Sequence, residues 1–383
     1  MLKVLTIIGA RPQIIKAAAL SRTIQKEFKP QVREVILHTG QHYDDVMSEV
    51  FFREMQIPSP DYNLGIGSAS HGSQTGQMID GIEQILLKEQ PHGIVVYGDT
   101  NSTLAGALAA SKLHIPVIHI EAGLRSFNKR MPEEINRIAC DHVSTLLFSP
   151  TSTGVDNLAN EGIMHHENQS LSFDQPGVYH SGDVMYDNTL FFKKLAIQNS
   201  PILRNLELEG QSYILATIHR PSNTDLPENL ASILRAMNEI SKEENIRIIL
   251  PLHPRTAAIL KQDHAREHME LLRTNKLISL IPAVSFLDMI RLEAEASIIL
   301  TDSGGVQKEA WFMEKPVVVL REETEWVEII EAGNGVLTGA NTEKIISSTK
   351  NFLNNPPKAY PPIFGDGKAA RQILNVLTTA NWQ

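Results

Sequence analysis

The sequence predicts an α/β protein of two Rossmann-like, doubly wound domains facing a cleft. Short β-branched runs alternate with amphipathic stretches along nearly the whole chain, the rhythm of βαβ units. That rhythm breaks once, over the polar and aperiodic residues 164–175, and then restarts. The chain has 383 residues, too many for one ordinary domain.

In the first half, residues 5–8, 35–38, 94–97, 117–120 and 146–148 read as parallel strands, and 13–28, 74–89 and 103–113 as helices between them. A connecting helix and loop occupy 186–209. The second half repeats the pattern with strands at 213–218, 246–252, 278–281, 297–300 and 317–320, and a helix at 229–242. Pro356, Pro357, Pro361 and Pro362 punctuate the chain before a last helix at 368–377. Boundaries follow at 1–185, 186–366 and 367–383.

Composition excludes several classes. No apolar run is long enough for a membrane-spanning helix, and the N-terminal residues enter a strand without a cleavable leader. The single cysteine, Cys140, leaves no internal disulfide and fits a reducing, cytoplasmic setting. A net charge of −9 argues against nucleic acid as a partner, though a small anion needs only a local basic pocket.

Residues 117–137 form the densest stretch. An apolar run, 117–120, places Glu121 at a strand end. A basic loop follows, with Arg125, Asn128, Lys129 and Arg130, and then Pro132, Glu133 and Glu134 open a helix. Asp99 ends the preceding strand within Gly98-Asp99-Thr100-Asn101-Ser102-Thr103. Asp99 alone reads as well as a helix cap, and Glu133 as a first-turn acid. Together with Glu121 they make three carboxylates at one sheet rim, where ligands bind in such folds. Stability gives no reason to gather like charges, whereas acid/base chemistry does.

Other strand ends carry further candidates. Gly9-Ala10-Arg11-Pro12 leads to Lys16, two cations suited to a phosphate or to a solvated face. His219-Arg220 and His253-Pro254-Arg255 end strands of the second half. His219 is either an acid/base or a satisfied polar histidine. Ser303-Gly304-Gly305 follows a strand and opens a helix at 306–313, a cradle for a diphosphate. Glu309, further along that helix, can accept from ribose hydroxyls. His38 and His42 lack a third ligand at metal spacing, His165–His166 is weaker still, and Gly65-Ile66-Gly67 lacks the third glycine of a dinucleotide fingerprint.

These motifs, with His119-Ile120-Glu121-Ala122-Gly123-Leu124-Arg125-Ser126, Pro132–Arg137, Thr301–Ala310 and Gly365-Asp366-Gly367-Lys368-Ala369, resemble the non-hydrolysing UDP-N-acetylglucosamine 2-epimerase family in order and over nearly the whole chain. The resemblance implies a GT-B-like fold whose last helix crosses back to the N-terminal domain. It implies reversible C2 inversion of a UDP-2-acetamido sugar by UDP elimination to a 2-acetamidoglucal and re-addition. It assigns Asp99, Glu121 and Glu133 as the acid/base set with His219 assisting. Arg11 and Lys16 would face diphosphate and sugar, Ser303, Gly304 and Gly305 the diphosphate, Glu309 the ribose and Phe286 the uracil. No metal and no cofactor are implied, and a homodimer is expected. Positions matching an activator UDP-sugar site in some bacterial members are Gln41, Arg220 and His253.

The departures are specific. Gln13 stands where many members have Glu. His219-Arg220-Pro221-Ser222-Asn223 lacks the Glu of the common pattern, and Trp326 replaces an Arg-Pro-type continuation. The short segment Ser126-Phe127-Asn128-Lys129-Arg130-Met131 looks more like the branch acting on UDP-2,3-diacetamido-glucuronic acid, with Lys129 or Arg130 as candidate carboxylate contacts. A GT-B glycosyltransferase, a hydrolysing epimerase and a non-catalytic UDP-sugar sensor are the competing readings.

Overall fold

A computed structural model describes residues 1–40, 56–165, 171–261, 270 and 272–380. The chain divides into two compact units. One comprises Met1–Asn188 with Pro362–Gln383, and the other Thr189–Pro361.

The first unit is built on a seven-stranded parallel sheet of order β3-β2-β1-β4-β5-β6-β7. Its strands are β1 Leu2–Ile8, β2 Val32–His38, β3 Tyr62–Asn63, β4 Gly93–Tyr97, β5 Val117–Ile120, β6 Leu146–Ser149 and β7 Gly177–His180. The central strands β4, β5 and β6 are buried along their whole length, as mainly apolar strands covered on both faces are. Leu5, Ile7, Leu37, Ile94 and Val96 share a core with Met78, Ile82 and Leu86 of the helix His71–Glu89. Each such fully buried aliphatic side chain contributes about 1.5–3 kcal/mol of transfer free energy. The helix Asn101–Lys112 packs against that helix through a small-residue face, Ala105, Ala109 and Ala110, which lets the backbones approach.

The second unit has a six-stranded parallel sheet of order β10-β9-β8-β11-β12-β13. Its strands are β8 Tyr213–Thr217, β9 Arg247–Pro251, β10 Ile278–Ile281, β11 Ile298–Thr301, β12 Val317–Val319 and β13 Gly335–Leu337. The amphipathic helix Pro227–Glu243 buries Leu230, Ile233, Leu234, Met237 and Ile240 against Ile214, Ala216 and Ile248. Through its first six strands the first sheet has the same order as the second. In each, the switch in winding direction falls beside the first strand, at β1/β4 and β8/β11, where ligands bind in open α/β sheets.

Some expectations needed correction. The edge strands β3, β7 and β13 were not anticipated, and the helix expected over 13–28 starts at Arg11 and ends in a π turn, Ile24–Phe28. Residues 186–188 and 362–366, expected in the second domain, cluster with the first unit. Asn188 donates to the Ile15 carbonyl (2.6 Å) and accepts from Arg22, and the Asp183 amide donates to the Phe364 carbonyl (2.9 Å). The Asp187 carboxylate accepts from the Ala369 and Ala370 amides (3.0 and 2.9 Å) and so starts the helix Ala369–Thr379.

Candidate active site

In the first unit, Gln13 ties the switch point together. Its Oε1 accepts from the amides of Gly9 (2.9 Å) and Ala10 (3.1 Å), and its Nε2 donates to the Tyr97 carbonyl (3.1 Å) and to Thr103 (2.9 Å). An amide serves all four partners because it is donor and acceptor at once; a carboxylate could only accept. The ends of β1 and β4 are thereby held in register beneath the rim.

Above them stand two carboxylate–cation pairs. Lys16 bonds to Glu121, and Arg137 bonds to Asp99. Arg137 also donates to Glu134 (3.0 Å) and feels the charge of Glu121. Glu121 is a non-glycine residue at φ 75°, a left-handed conformation that costs of order 1–3 kcal/mol and is found most often at functional sites. Gly98 faces this pair. It has φ 63°, and a Cβ there would lie 2.9 Å from Lys16 Nζ and 3.1 Å from a Glu121 oxygen. The repulsion expected among the rim acids is therefore relieved by interleaved cations. Arg137 was legible only as the end of Pro132–Arg137, four residues after Glu133 and so on the same helix face.

The capping role open to Asp99 is taken by Thr100, whose hydroxyl accepts from the Thr103 amide. The adjacent acids separate as well. Glu134 is buried and accepts from the Ser126 amide and hydroxyl and the Phe127 amide, closing the basic loop. Glu133 is exposed on the first turn of the helix Pro132–His142 and has no side-chain partner among the described residues. Arg11 is exposed at the start of the helix Arg11–Thr23.

Behind Glu121 lies a charge network, buried at His119 and Asp141, that the sequence did not reveal. His119 Nδ1 is 2.7 Å from Asp141 and Nε2 is 2.8 Å from the Gly98 carbonyl, so both ring nitrogens face acceptors. Burial opposes charge here, but Cys140 and Asp141 outweigh it and place the His119 pKa well above its usual value. Arg125 completes the network, bonding Asp141 (2.7 Å) and Glu161 (2.7 Å). The imidazolium thus holds the carbonyl of Gly98, the residue before Asp99.

In the second unit the clamp at the switch point is Asp302, another residue without an assigned role in the sequence reading. Buried at the end of β11, it accepts from the amides of His219 (3.1 Å) and Arg220 (3.0 Å) and from Asn223 (3.1 Å). His219 Nδ1 lies 3.2 Å from the same carboxylate. An acceptor there fixes the proton on Nδ1 and leaves Nε2 for other work. Burial lowers the His219 pKa, His253 and Arg220 add to the effect, and Asp302 opposes it.

Ser303 caps the helix Gly304–Phe312 through a bond from the Val306 amide. A Cβ on Gly305 would meet nothing closer than Ser303 Oγ at 3.8 Å, so a ligand can approach the backbone closely. Trp326 donates to the Gly304 carbonyl (3.0 Å) while Lys308 lies over its ring (4.2 Å). The Arg220 guanidinium is 3.9 Å from Glu325, which Arg321 also pairs. Beside the cradle is a cavity of about 200 Å³ lined by Thr217, His219, His253, Met289, Ser303 and Val306, among others. Phe286, expected near a base, does not line it; its ring packs edge-on against Phe192. His253 caps the helix Pro254–Ile259 and lies 5.3 Å, ring to ring, from His219.

Gln41, like His42 and His166, lies outside the described residues. His38 is buried, accepts from the Gly40 amide, and its pKa is pushed down by burial to about 4, which makes it a neutral core histidine. No group of three or more potential metal-ligating residues occurs among the described residues, and no described helix is long and apolar enough to cross a membrane.

The family described as UDP-N-acetylglucosamine 2-epimerase matches residues 25–378. The chain is 49% identical to a UDP-N-acetylglucosamine 2-epimerase homolog of Methanococcus maripaludis, covering 98% of this chain and 99% of that protein. It is 48% identical to UDP-2,3-diacetamido-2,3-dideoxy-D-glucuronate 2-epimerase of Pseudomonas aeruginosa, with the same coverage. Among solved structures, that of Methanocaldococcus jannaschii UDP-GlcNAc 2-epimerase in complex with UDP-GlcNAc and UDP matches with a TM-score of 0.81 at 42% identity. It covers 98% of this chain and 99% of that one. The α/β architecture of two parallel sheets is the GT-B-like fold of these enzymes.

Proposed function

The chain belongs to the UDP-N-acetylglucosamine 2-epimerase family, and from that membership we propose that it interconverts UDP-GlcNAc and UDP-ManNAc by elimination and re-addition of UDP. As a member it is an isomerase of the non-hydrolysing type. The observation that carries the proposal is the pair of rim carboxylates, Asp99 and Glu121, each held by its own cation at the β1/β4 switch point.

The chemistry requires such groups. A base takes the C2 proton while the C1–O bond to UDP breaks, the bonding pair leaving with UDP, and a C1–C2 double bond forms. An acid then returns a proton to C2 from the other face as UDP oxygen attacks C1. Asp99, Glu121 and Glu133 supply the acid/base groups, and positive charge developing at C1 is stabilised by a nearby carboxylate. Lys16 and Arg11 supply cations toward the diphosphate and sugar. In the second unit the amides after Ser303 receive the diphosphate at the helix N-terminus. Glu309 accepts from the ribose hydroxyls. His219, its Nδ1 proton held by Asp302, offers Nε2 to a reacting or leaving oxygen. Arg220 and His253 belong to a second UDP-sugar site in this reading. The enzyme acts as a cytoplasmic homodimer, for which light scattering should give twice the chain mass.

Incubation with UDP-GlcNAc in D2O, followed by proton NMR, tests the reaction. UDP-ManNAc carrying deuterium at C2 is the expected product. Free ManNAc would replace the proposal with hydrolysis, and absence of exchange would remove UDP-GlcNAc as substrate.

A second substrate, the diacetamido-uronate, is favoured by one observation. Lys129 and Arg130 are exposed on the loop that Glu134 closes, and neither has an ion-pair partner among the described residues. They can meet a sugar carboxylate. A Lys129→Ala, Arg130→Ala double substitution should then raise KM for the uronate about tenfold and leave that for the neutral sugar within twofold. Equal effects on both would dismiss this reading.

A further inference from the structure

One acid of the second unit is neutralised by nothing usual. Glu293, on the helix Phe286–Glu295, is completely buried, and neither carboxyl oxygen receives a hydrogen bond from any donor among the described residues. An isolated buried carboxylate is strongly unfavourable. Beside it is another acid, Glu309. Two carboxylates in contact repel unless a proton sits between them, and a single proton turns the repulsion into a strong hydrogen bond.

The surroundings decide which acid carries that proton. Glu309 is half-buried, and burial raises its pKa, but the Lys308 ammonium beside it and the hydrogen bond from Glu293 both favour its anion. Glu293 has only burial and the charge of Glu309, and both favour its neutral form. We propose that Glu293 is a neutral carboxylic acid that donates to Glu309 and positions it as an anionic acceptor for the vicinal hydroxyls of a nucleotide ribose. This rests on the reading of Glu309 given above. The donor from beneath fixes the plane of the Glu309 carboxylate on the helix that begins at the diphosphate cradle. Its remaining lone pairs then meet a diol without a search through rotamers. Glu293 itself touches no substrate and is a positioning residue.

The test compares binding of UDP and of 2′,3′-dideoxy-UDP by titration calorimetry. Wild type should prefer UDP by about tenfold or more, the worth of hydrogen bonds to a charged acceptor. E309Q should lose most of that preference. E293Q, whose amide N–H replaces the acid donor, should keep it within about twofold, and E293L should retain no more than about threefold. E293L should melt no lower than wild type, because an apolar side chain replaces a buried polar one. Infrared difference spectra at neutral pH give an independent signature. The carbonyl band of an un-ionised acid should persist in E309Q and be lost in E293Q.

Full diol preference in E293L alongside its loss in E309Q would overturn the positioning role of Glu293. Loss of the acid band in E309Q would overturn the assignment of the proton. If E309Q keeps the wild-type preference, the ribose reading of Glu309 itself falls, and the purpose given to Glu293 falls with it. Should E293L not fold, E293Q and the two infrared spectra decide.

Discussion

The two units answer one topological problem with opposite chemistry. Both wind their sheets in the same order and open a rim at the same place, β1/β4 in one and β8/β11 in the other. In the first, a neutral side chain, Gln13, ties the strand ends together, and the charges stand above it as Glu121–Lys16 and Asp99–Arg137. In the second, the charge is the tie. Asp302 is buried and takes the amides of His219 and Arg220, leaving the helix N-terminus after Ser303 to face outward. A rim whose carboxylates project is equipped to move protons, and one that offers amides is equipped to hold an anion. The fold sets where a ligand binds; the residues at the clamp set what can be done to it.

The contrast breaks most visibly if the two rims are not separable. Glu121→Gln should lower kcat about 100- to 10,000-fold while UDP affinity stays within about twofold. Gly305→Val should do the reverse, raising the UDP dissociation constant about tenfold with a smaller change in C2 exchange, because its side chain blocks approach to the amides. Parallel losses in turnover and affinity for both variants, in single-turnover kinetics and calorimetry, would show that the division of labour is wrong.

A smaller effect is expected at Gly98. Gly98→Ala places a methyl against the Lys16–Glu121 pair at positive φ, so it should cost about 1–2 kcal/mol of stability, read by thermal or urea unfolding. It should also reduce turnover. A neutral outcome would mean that the pair is free to move aside and is not a fixed device.

The pH dependence sharpens the second rim. The His219 pKa is depressed, so the imidazole is neutral at pH 7 and activity should fall only as pH drops through that lowered value. Arg220 lowers it and Asp302 raises it. Arg220→Ala should therefore move the acid limb of kcat/KM upward in pH and Asp302→Asn should move it downward. Movement in the same direction would remove His219 from the titration.

His38 offers a stability counterpart in the first unit. Its pKa falls from about 6.5 in the unfolded chain to about 4 when buried. The folded state then binds fewer protons than the unfolded one between these values. The contribution is whole above pH 6.5 and is lost as pH falls toward 4, and His38→Asn should flatten unfolding free energy across that window.

Much of this was legible in the residues. The central strands were, since runs such as 94–97 and 298–300 are apolar throughout and bounded by polar turns. The short edge strands were not. Tyr62–Asn63 and Gly335–Leu337 owe their state to the neighbour they pair with, and two or three residues carry no period. At the site, Asp99, Glu121 and His219 were visible because strand ends in α/β sheets are where ligands bind. What held them was not: Gln13, Arg137, Asp141 and Asp302 reach partners 22 to 90 residues away in the chain, and no local pattern reports such a pairing. The sequence also could not separate Glu133 from Glu134. Only the geometry of the loop, with the amides of Ser126 and Phe127 turned inward, makes the second a structural acid.

The first unit is interrupted. Its main body ends at Asn188, and it recovers Pro362–Gln383 only after 173 residues, Thr189–Pro361, that form the other unit. On a ribosome, the continuous unit is therefore complete before the interrupted one. Until translation has passed the helix Ala369–Thr379, Asp187 has no amides to cap, and Gln13, Lys16 and Arg137 belong to a nascent body that lacks one of its walls. The half that would hold the nucleotide matures first, and the half that would move protons is finished only as synthesis closes.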